Sequence, residues 1–233
     1  MANSKKITIS KDGPYLVAGS VPLSLQTIGV NADGESTKWV EGPTLKVAKE
    51  YALCRCGESK MKPFCDGSHA KAGFDGTETA SREPIMKQAK VIDGPAMQLA
   101  DAEVLCAFAR FCDPNGRIWN QTESTDDPAV RANFIRQAGD CASGRLIAID
   151  KGTGKAIEPK LPQAIGIVED PARECSGPLW VRGGIPLVDA DGKAYEIRNR
   201  MTLCRCGRSE NKPFCNGAHA SEPTFRDGQK STP

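Results

Sequence analysis

The 233-residue sequence predicts an α+β protein in which two β-rich units pack on each other and flank a partly helical insert. Three observations carry that expectation. A sixteen-residue pattern occurs twice, as CRCGESKMKPFCDGSH from Cys54 to His69 and as CRCGRSENKPFCNGAH from Cys204 to His219. The similarity extends upstream, where DGPYLVAGSVPL (12–23) matches SGPLWVRGGIPL (176–187), each followed by ADG and then by YALCRCG or MTLCRCG. Between the copies, short apolar segments bounded by Gly and Pro give way to helical periodicity. The units span 8–78 and 174–229, with the insert at 79–173. Solenoids need three or more repeats, so two copies imply a pair packed on each other.

Within the units, PYLVAG and PLWVRGG read as strands, and YALCRC and MTLCRC continue extended into the first two cysteines. Both copies end on an aromatic and an Asp-Gly pair, Phe74-Asp75-Gly76 and Phe225-Arg226-Asp227-Gly228. In the insert, AMQLADAEVLCAFARFC places Leu105, Phe108 and Cys112 at helical spacing and predicts a first helix. DDPAVRANFIRQAG predicts a second: Asp127 as cap, Pro128 at the first helical position, Val130, Phe134 and Ala138 on one face, and Gly139 as the stop. RLIAID then predicts a strand. Trp119, Trp180, Phe108, Phe111 and Phe134 are assigned to the core.

Composition narrows the function. With 31 basic against 29 acidic residues and no basic block of five or six, nucleic acid is excluded as a partner. The N-terminus has lysines but no apolar h-region, and no run of eighteen apolar residues follows, which predicts a soluble, unexported, cytoplasmic protein with no membrane span. The ten cysteines are clustered, and both histidines of the chain sit at the end of the repeated pattern. Clustering points to metal rather than to a disulfide framework.

Both copies have the spacing C-x-C-x8-C-x3-H: Cys54, Cys56, Cys65, His69 and Cys204, Cys206, Cys215, His219. Residues i and i+2 of an extended segment project from one side, so each C-x-C pair can hold a metal from a single face. Pro63 and Pro213 restrict the returning loop, and Gly67 and Gly217 allow close approach of the chain. Asp66 or Asn216 suits a helix N-cap, and a turn starting there swings the histidine back while its N–H groups offset charge on sulfur. Three thiolates and an imidazole satisfy tetrahedral zinc, although such sites usually draw on C-x2-4-C knuckles. The same ligands also divide as two cysteines on one iron and cysteine plus histidine on the other iron of a [2Fe-2S] cluster.

The stretch CRCGESKMKPFCDGSH resembles the CDGSH iron–sulfur domain family at every ligand position, at the central proline and through the whole CDGSH element. The resemblance implies two [2Fe-2S] clusters, one on Cys54, Cys56, Cys65 and His69 and one on Cys204, Cys206, Cys215 and His219. The second copy departs to CNGAH, losing the carboxylate at Asn216 and the hydroxyl at Ala218, so clusters of unequal potential and stability are expected. Members with one motif form homodimers with intertwined strands. The resemblance thus implies that dimer within a single chain, a monomer with an intramolecular pseudo-twofold.

The implied function is one-electron transfer, or cluster transfer and redox sensing, with a redox or cluster-acceptor protein as partner. A neutral histidine in place of a thiolate raises the potential and makes ligation proton-dependent. No acid, base or nucleophile is set beside a substrate pocket and the ligand sets are full, so an enzyme is not expected. The alternatives are a structural zinc scaffold and an electron-relay subunit of a reductase complex. Arg55, Lys60, Lys62, Arg205, Arg208 and Lys212 read as a solvated surface or, more sharply, as a face for an acidic redox partner.

Cys106, Cys112, Cys141 and Cys175 lie outside the repeats. LCAFARFC and CASGRL look like the outline of a divergent single-cluster ferredoxin-like domain, C-x5-C followed later by a cysteine before a small-residue turn. The tight C-x2-C-x2-C run is missing, and on a continuous helix Cys106 and Cys112 point about 120° apart. Buried thiols are the expectation. A third cluster requires that the helix break before Asp113-Pro114.

Overall fold

A computed structural model describes residues 5–227, so Gly228 and the end of the second unit at 229 lie outside the described residues. The first unit supplies β1 (Lys6–Ile9), β2 (Tyr15–Ala18), β3 (Leu23–Val30), β4 (Ser36–Leu45), β5 (Glu50–Leu53) and the short helix α1 (Ser68–Lys71). The insert begins with α2 (Ile85–Gln88), β6 (Lys90–Asp93), β7 (Met97–Asp101), α3 (Ile118–Gln121), α4 (Pro128–Asp140), β8 (Leu146–Asp150) and β9 (Lys155–Ile157). Four strands close the chain: β10 (Ala164–Asp170), β11 (Cys175–Arg182), β12 (Leu187–Val188) and β13 (Arg200–Leu203).

These strands form three sheets, ordered β12-β1-β2-β5, β13-β11-β10-β3-β4 and β6-β7-β8-β9. The first two exchange strands reciprocally. In one, β1 pairs parallel with β12 at Ile7↔Leu187; in the other, β10 pairs parallel with β3 at Ile165↔Leu23. Leu23 and Leu187 end the matched VPL and IPL segments, so each copy sends the same strand into the other copy's sheet. The strand leading into the first cysteine pair lies beside its own copy's central strand, β5 on β2 and β13 on β11. By this pairing β10 holds the position of β1, and the structural repeat reaches back to Ala164, upstream of where KITI and AIGIVED still look alike.

Burial follows from the exchange. On β2, Tyr15 and Val17 are buried while Leu16 faces out, the period-two pattern of a half-covered strand. Every residue of β10 and β11 is buried, because the insert covers the outer face of their sheet. Ile7, Val17, Leu23 and Leu53 join Ile165, Val181, Leu187 and Leu203 in one core. The exchanged strands turn alike in both copies: Asn31 Oδ1 accepts from the N–H groups of Asp33 and Glu35, and Asp189 Oδ1 from those of Asp191 and Lys193.

The insert corrects one expectation and meets two. The first predicted helix does not form: Met97–Asp101 is a strand held between β6 and β8, Glu103–Leu105 is a single 3-10 turn, and Cys106–Cys112 is an irregular loop. Tertiary pairing of β7 overrides the local periodicity, and Phe108 and Arg110 adopt positive φ angles that no helix contains. The second helix forms as α4, with Asp127 accepting from Ala129 and Val130 N–H, Pro128 at its start, and Phe134 and Ala138 buried. It runs one residue past Gly139. RLIAID becomes β8, and Phe134 and Ala138 pack with Met97, Leu99, Ile118, Leu146 and Ala148 into the insert's own core.

Two contacts tie the insert to the second unit. The buried Arg200 guanidinium donates to the carbonyls of Ala138, Gly139 and Cys141, which closes the C-terminus of α4, and to Glu158. Phe111 and Trp180 both stack on Trp39, at 4.8 and 4.6 Å between ring centres. Of the aromatics assigned to the core, Phe111, Phe134 and Trp180 are buried and Trp119 is half-buried. Phe108 instead is 39% exposed.

The tightest contact between the copies is backbone on backbone. A Cβ on Gly57 would lie 2.6 Å from the Cys206 carbonyl oxygen, and one on Gly207 2.3 Å from that of Cys56, both at positive φ. Gly57→Ala and Gly207→Ala should each lower the unfolding free energy by about 2–4 kcal/mol, combining the left-handed backbone penalty with overpacking. Gly34→Ala has positive φ but open space around it, and should cost only about 1–2 kcal/mol in the same urea titration followed by circular dichroism.

Candidate metal centre

Each ligand set is assembled from a strand end and a returning loop. Cys54 N–H donates to the Pro63 carbonyl (2.8 Å) and Cys65 N–H to the Ala52 carbonyl (2.9 Å), so the third cysteine is laced beside the first. Cys204 to Pro213 and Cys215 to Thr202 repeat this at 2.9 Å each. Ser59 and Ser209 brace the loops by donating to the carbonyls of Phe64 and Phe214, and Lys62 and Lys212 donate to the carbonyls of Ser59 and Ser209. The Lys62-Pro63 and Lys212-Pro213 bonds are both cis.

The histidine arm is a short turn entered through a left-handed glycine, Gly67 and Gly217 both at φ 87°. The glycine, and not the residue before it as expected, is the cap. Asp66 and Asn216 still serve the turn, accepting from Ser68 and Ala218 N–H, and Asp66 also accepts from Lys60 N–H. Those bonds hold the Asp66 carboxyl well below the usual carboxylate range. The second copy forms only a 3-10 turn, Ala218–Ala220.

Donor spacing decides what the sites can hold. Sγ of Cys54 lies 3.7 Å from Sγ of Cys56, and Sγ of Cys65 lies 3.4 Å from Nδ1 of His69. The second copy gives 3.7 and 3.4 Å. A tetrahedral metal with bonds of about 2.3 Å to sulfur separates two sulfur ligands by about 3.7 Å, so each pair spans one metal ion. Two such pairs suit a tetrahedral metal ion and also divide naturally between the two irons of a [2Fe-2S] cluster. Backbone N–H groups also reach the sulfurs, from Glu58 to Cys56 (3.4 Å), Gly67 to Cys65 (3.5 Å) and Gly217 to Cys215 (3.4 Å).

The sites differ in environment. His69 and Cys65 are half-buried, whereas His219 and Cys215 are 3% and 2% exposed. The insert loop is the cause, since Gly217 lies against the Cys106 carbonyl and Phe108. Burial, then the cations Arg205, Arg208 and Arg110, lowers His219 to about 4. Burial also pushes the Cys56 thiol up to about 11 and Cys215 further still. Cys206 is lowered by the bond from Cys204, which is itself raised.

Of the basic residues read as surface, Arg55 and Arg205 are buried at 2% exposure. Arg55 donates to the carbonyls of Ser10 and Gly76 beneath Phe74; Arg205 binds the carbonyls of Gly177 and Val168 and the carboxylates of Glu169 and Asp227 beneath Phe225. Arg208 donates to the Pro223 and His219 carbonyls, and of the six only Lys60 is fully exposed. Long side chains between ligands are needed to hold the C-x-C strand down, which removes them from any partner face. Tyr15, whose hydroxyl donates to the Cys204 and Pro213 carbonyls from the other copy, escaped sequence reasoning because its counterpart is Leu179.

These sites define a class: compact iron-binding domains with three cysteines and one histidine. The family model described as iron-binding zinc finger, CDGSH type, matches residues 12–70 and 176–220, so the chain carries two regions that match this domain. No similar curated protein and no similar solved structure was found. Among the described residues no helix is long and apolar enough to cross a membrane.

Arg205 and Arg55 give a paired prediction. Arg205→Met leaves buried carboxylates without their cation and should cost about 3–5 kcal/mol. Arg55→Met removes bonds to neutral carbonyls only and should cost about 1.5–3 kcal/mol by denaturant titration.

Proposed function

We propose that the chain is a two-cluster iron–sulfur electron carrier whose two units form the intramolecular counterpart of a twofold dimer. The observation that carries this reading is the paired donor spacing in both copies, each within a stretch that matches an iron-binding domain. Cys54, Cys56, Cys65 and His69 hold one [2Fe-2S] cluster, and Cys204, Cys206, Cys215 and His219 the other. Each cluster, when bound, supplies a one-electron couple. The reciprocal pairing of β1 with β12 and of β10 with β3 supports the pseudo-dimer. The Gly57–Cys206 and Gly207–Cys56 contacts support electron exchange between the clusters, since they leave no layer of side chains between the two C-x-C segments.

The residues beside the ligands tune and protect rather than react. A neutral imidazole in place of a fourth thiolate leaves each site one charge less negative, which favours the reduced state. Backbone N–H groups on the sulfurs act in the same direction. Both ligand sets are complete, which supports a carrier and not an enzyme. The half-exposed Cys65–His69 side is the face for a redox partner or cluster acceptor, and the enclosed second cluster stays resident.

Iron, zinc and acid-labile sulfide analysis tests the reading, with about four irons and four sulfides expected on the eight ligands and about two zincs overturning it. His69→Cys should lower the potential of one cluster and leave the other unchanged in a redox titration. An iron chelator at neutral pH should bleach the first cluster before the second, a difference that Cys65→Ala, by deleting the fast phase, assigns. A single phase, or a fast phase that survives Cys65→Ala, would count against the exposure argument.

A further inference from the structure

We propose that Cys106, Cys112 and Cys141 bind a third iron–sulfur cluster, of the cuboidal kind held by three thiolates. This inference stands on the insert alone and does not rest on the reading of the repeated sites. The three residues line one half-enclosed cavity that opens to solvent. They reach it from two segments: the loop 106–112 carries two, and the C-cap of α4 carries the third. The fourth non-repeat cysteine, Cys175, is buried in β11 and is not part of that lining.

Phe108 and Arg110 have φ of 57° and 61°, and Ala109 between them has negative φ. Left-handed residues so closely spaced can turn peptide N–H groups toward one side, as in the loops that bind phosphates and iron–sulfur clusters. For non-glycine residues each left-handed position costs about 1–2 kcal/mol, so two in three residues need an outside hold. Arg110 provides it: its guanidinium donates to the Phe108 carbonyl at 3.0 Å and is locked by a two-point pair with the buried Asp170 at 2.5 and 3.1 Å.

A second, independent observation concerns hydrogen bonding. Among the described residues, none of the backbone N–H groups from Ala107 to Cys112, nor those of Ala142 and Ser143, has an acceptor in the chain. Ala107, Phe111, Ala142 and Ser143 are buried. Unpartnered N–H groups on buried residues are uncommon, and those around this cavity have no acceptor among the described residues and are free to serve a ligand. Inorganic sulfides and cysteine thiolates supply acceptors.

Three thiolates lining one cavity can each hold one iron of a three-iron cluster, or one of three corners of a four-iron cluster. Each ligating thiol gives up its proton. Arg145, on the cavity wall, is held by Asp101 at 2.5 and 2.8 Å and stacks on Trp119, placing a fixed cation beside the resulting negative charge. The Cys106 carbonyl touches Gly217, which puts this centre next to the second repeated site.

The test is iron and sulfide analysis with EPR on the full chain, purified anaerobically and reconstituted with ferrous iron and sulfide. The wild type should hold about seven or eight irons, and a variant with Cys106→Ser, Cys112→Ser and Cys141→Ser about four. Oxidised two-iron clusters are EPR-silent, so an oxidised-state signal marks a three-iron cluster, and a new reduced-state signal with eight irons marks a four-iron one. Either signal should vanish in the triple variant while the absorbance of the other clusters remains, which also reports that the variant folds. Wild-type iron that stays at about four overturns the proposal whatever the variant does. So does one zinc per chain that the triple variant loses, or equal iron in the two proteins.

Discussion

Reciprocal strand exchange is the constraint on which the rest of this molecule depends. Because β3 completes the sheet of the second copy and β12 that of the first, neither copy can close its apolar face alone. The shared core therefore forms once, from both halves of the chain, and β5 and β13 are delivered to the same region with their cysteines at adjacent ends. Joining the halves covalently removes the dependence of this pairing on concentration. Two glycines then let the C-x-C segments meet backbone to backbone, a contact no side chain larger than hydrogen permits.

Duplication in one chain frees the copies to diverge, and the insert is where they do. Its loop lies over Gly217 and encloses His219 and Cys215, while His69 and Cys65 keep a solvent face. Arg205 is clamped by two carboxylates where Arg55 meets only carbonyls, so the second C-x-C strand sits in a more polar and more deeply buried frame. Burial pushes the Glu169 carboxyl up to about 7 even with Arg205 beside it. Unequal burial, more than the change from CDGSH to CNGAH, separates the two sites physically.

The second copy is also the hub of the molecule. Arg200 opens β13, whose other end leads into Cys204, and its guanidinium closes α4 and holds the Cys141 carbonyl. The Trp39, Trp180 and Phe111 stack joins the first copy's β4, the second copy's β11 and the insert loop. The insert cavity, the second site and the first site thus follow one another through contacts of the main chain.

The sequence by itself determined the duplication, the ligand types and the strands β2, β5, β8, β11 and β13, because these rest on local patterns: repeated spacing, period-two burial and Gly-Pro boundaries. It also determined α4, where cap, N1 proline and apolar face all agree. Only the tertiary structure decided which strand joins which sheet, since a swapped and an unswapped strand share the same sequence pattern. It decided likewise that Met97–Asp101 extends, because β6 and β8 offer hydrogen-bond partners that helical periodicity cannot register. Arg55 and Arg205 read as surface because charge is a solvent signal until a buried carboxylate or carbonyl answers it. Cys106, Cys112 and Cys141 face one cavity only once positive φ at Phe108 and Arg110 unwinds the helix their spacing suggests, a backbone choice enforced by Asp170, sixty residues from Arg110 in the chain.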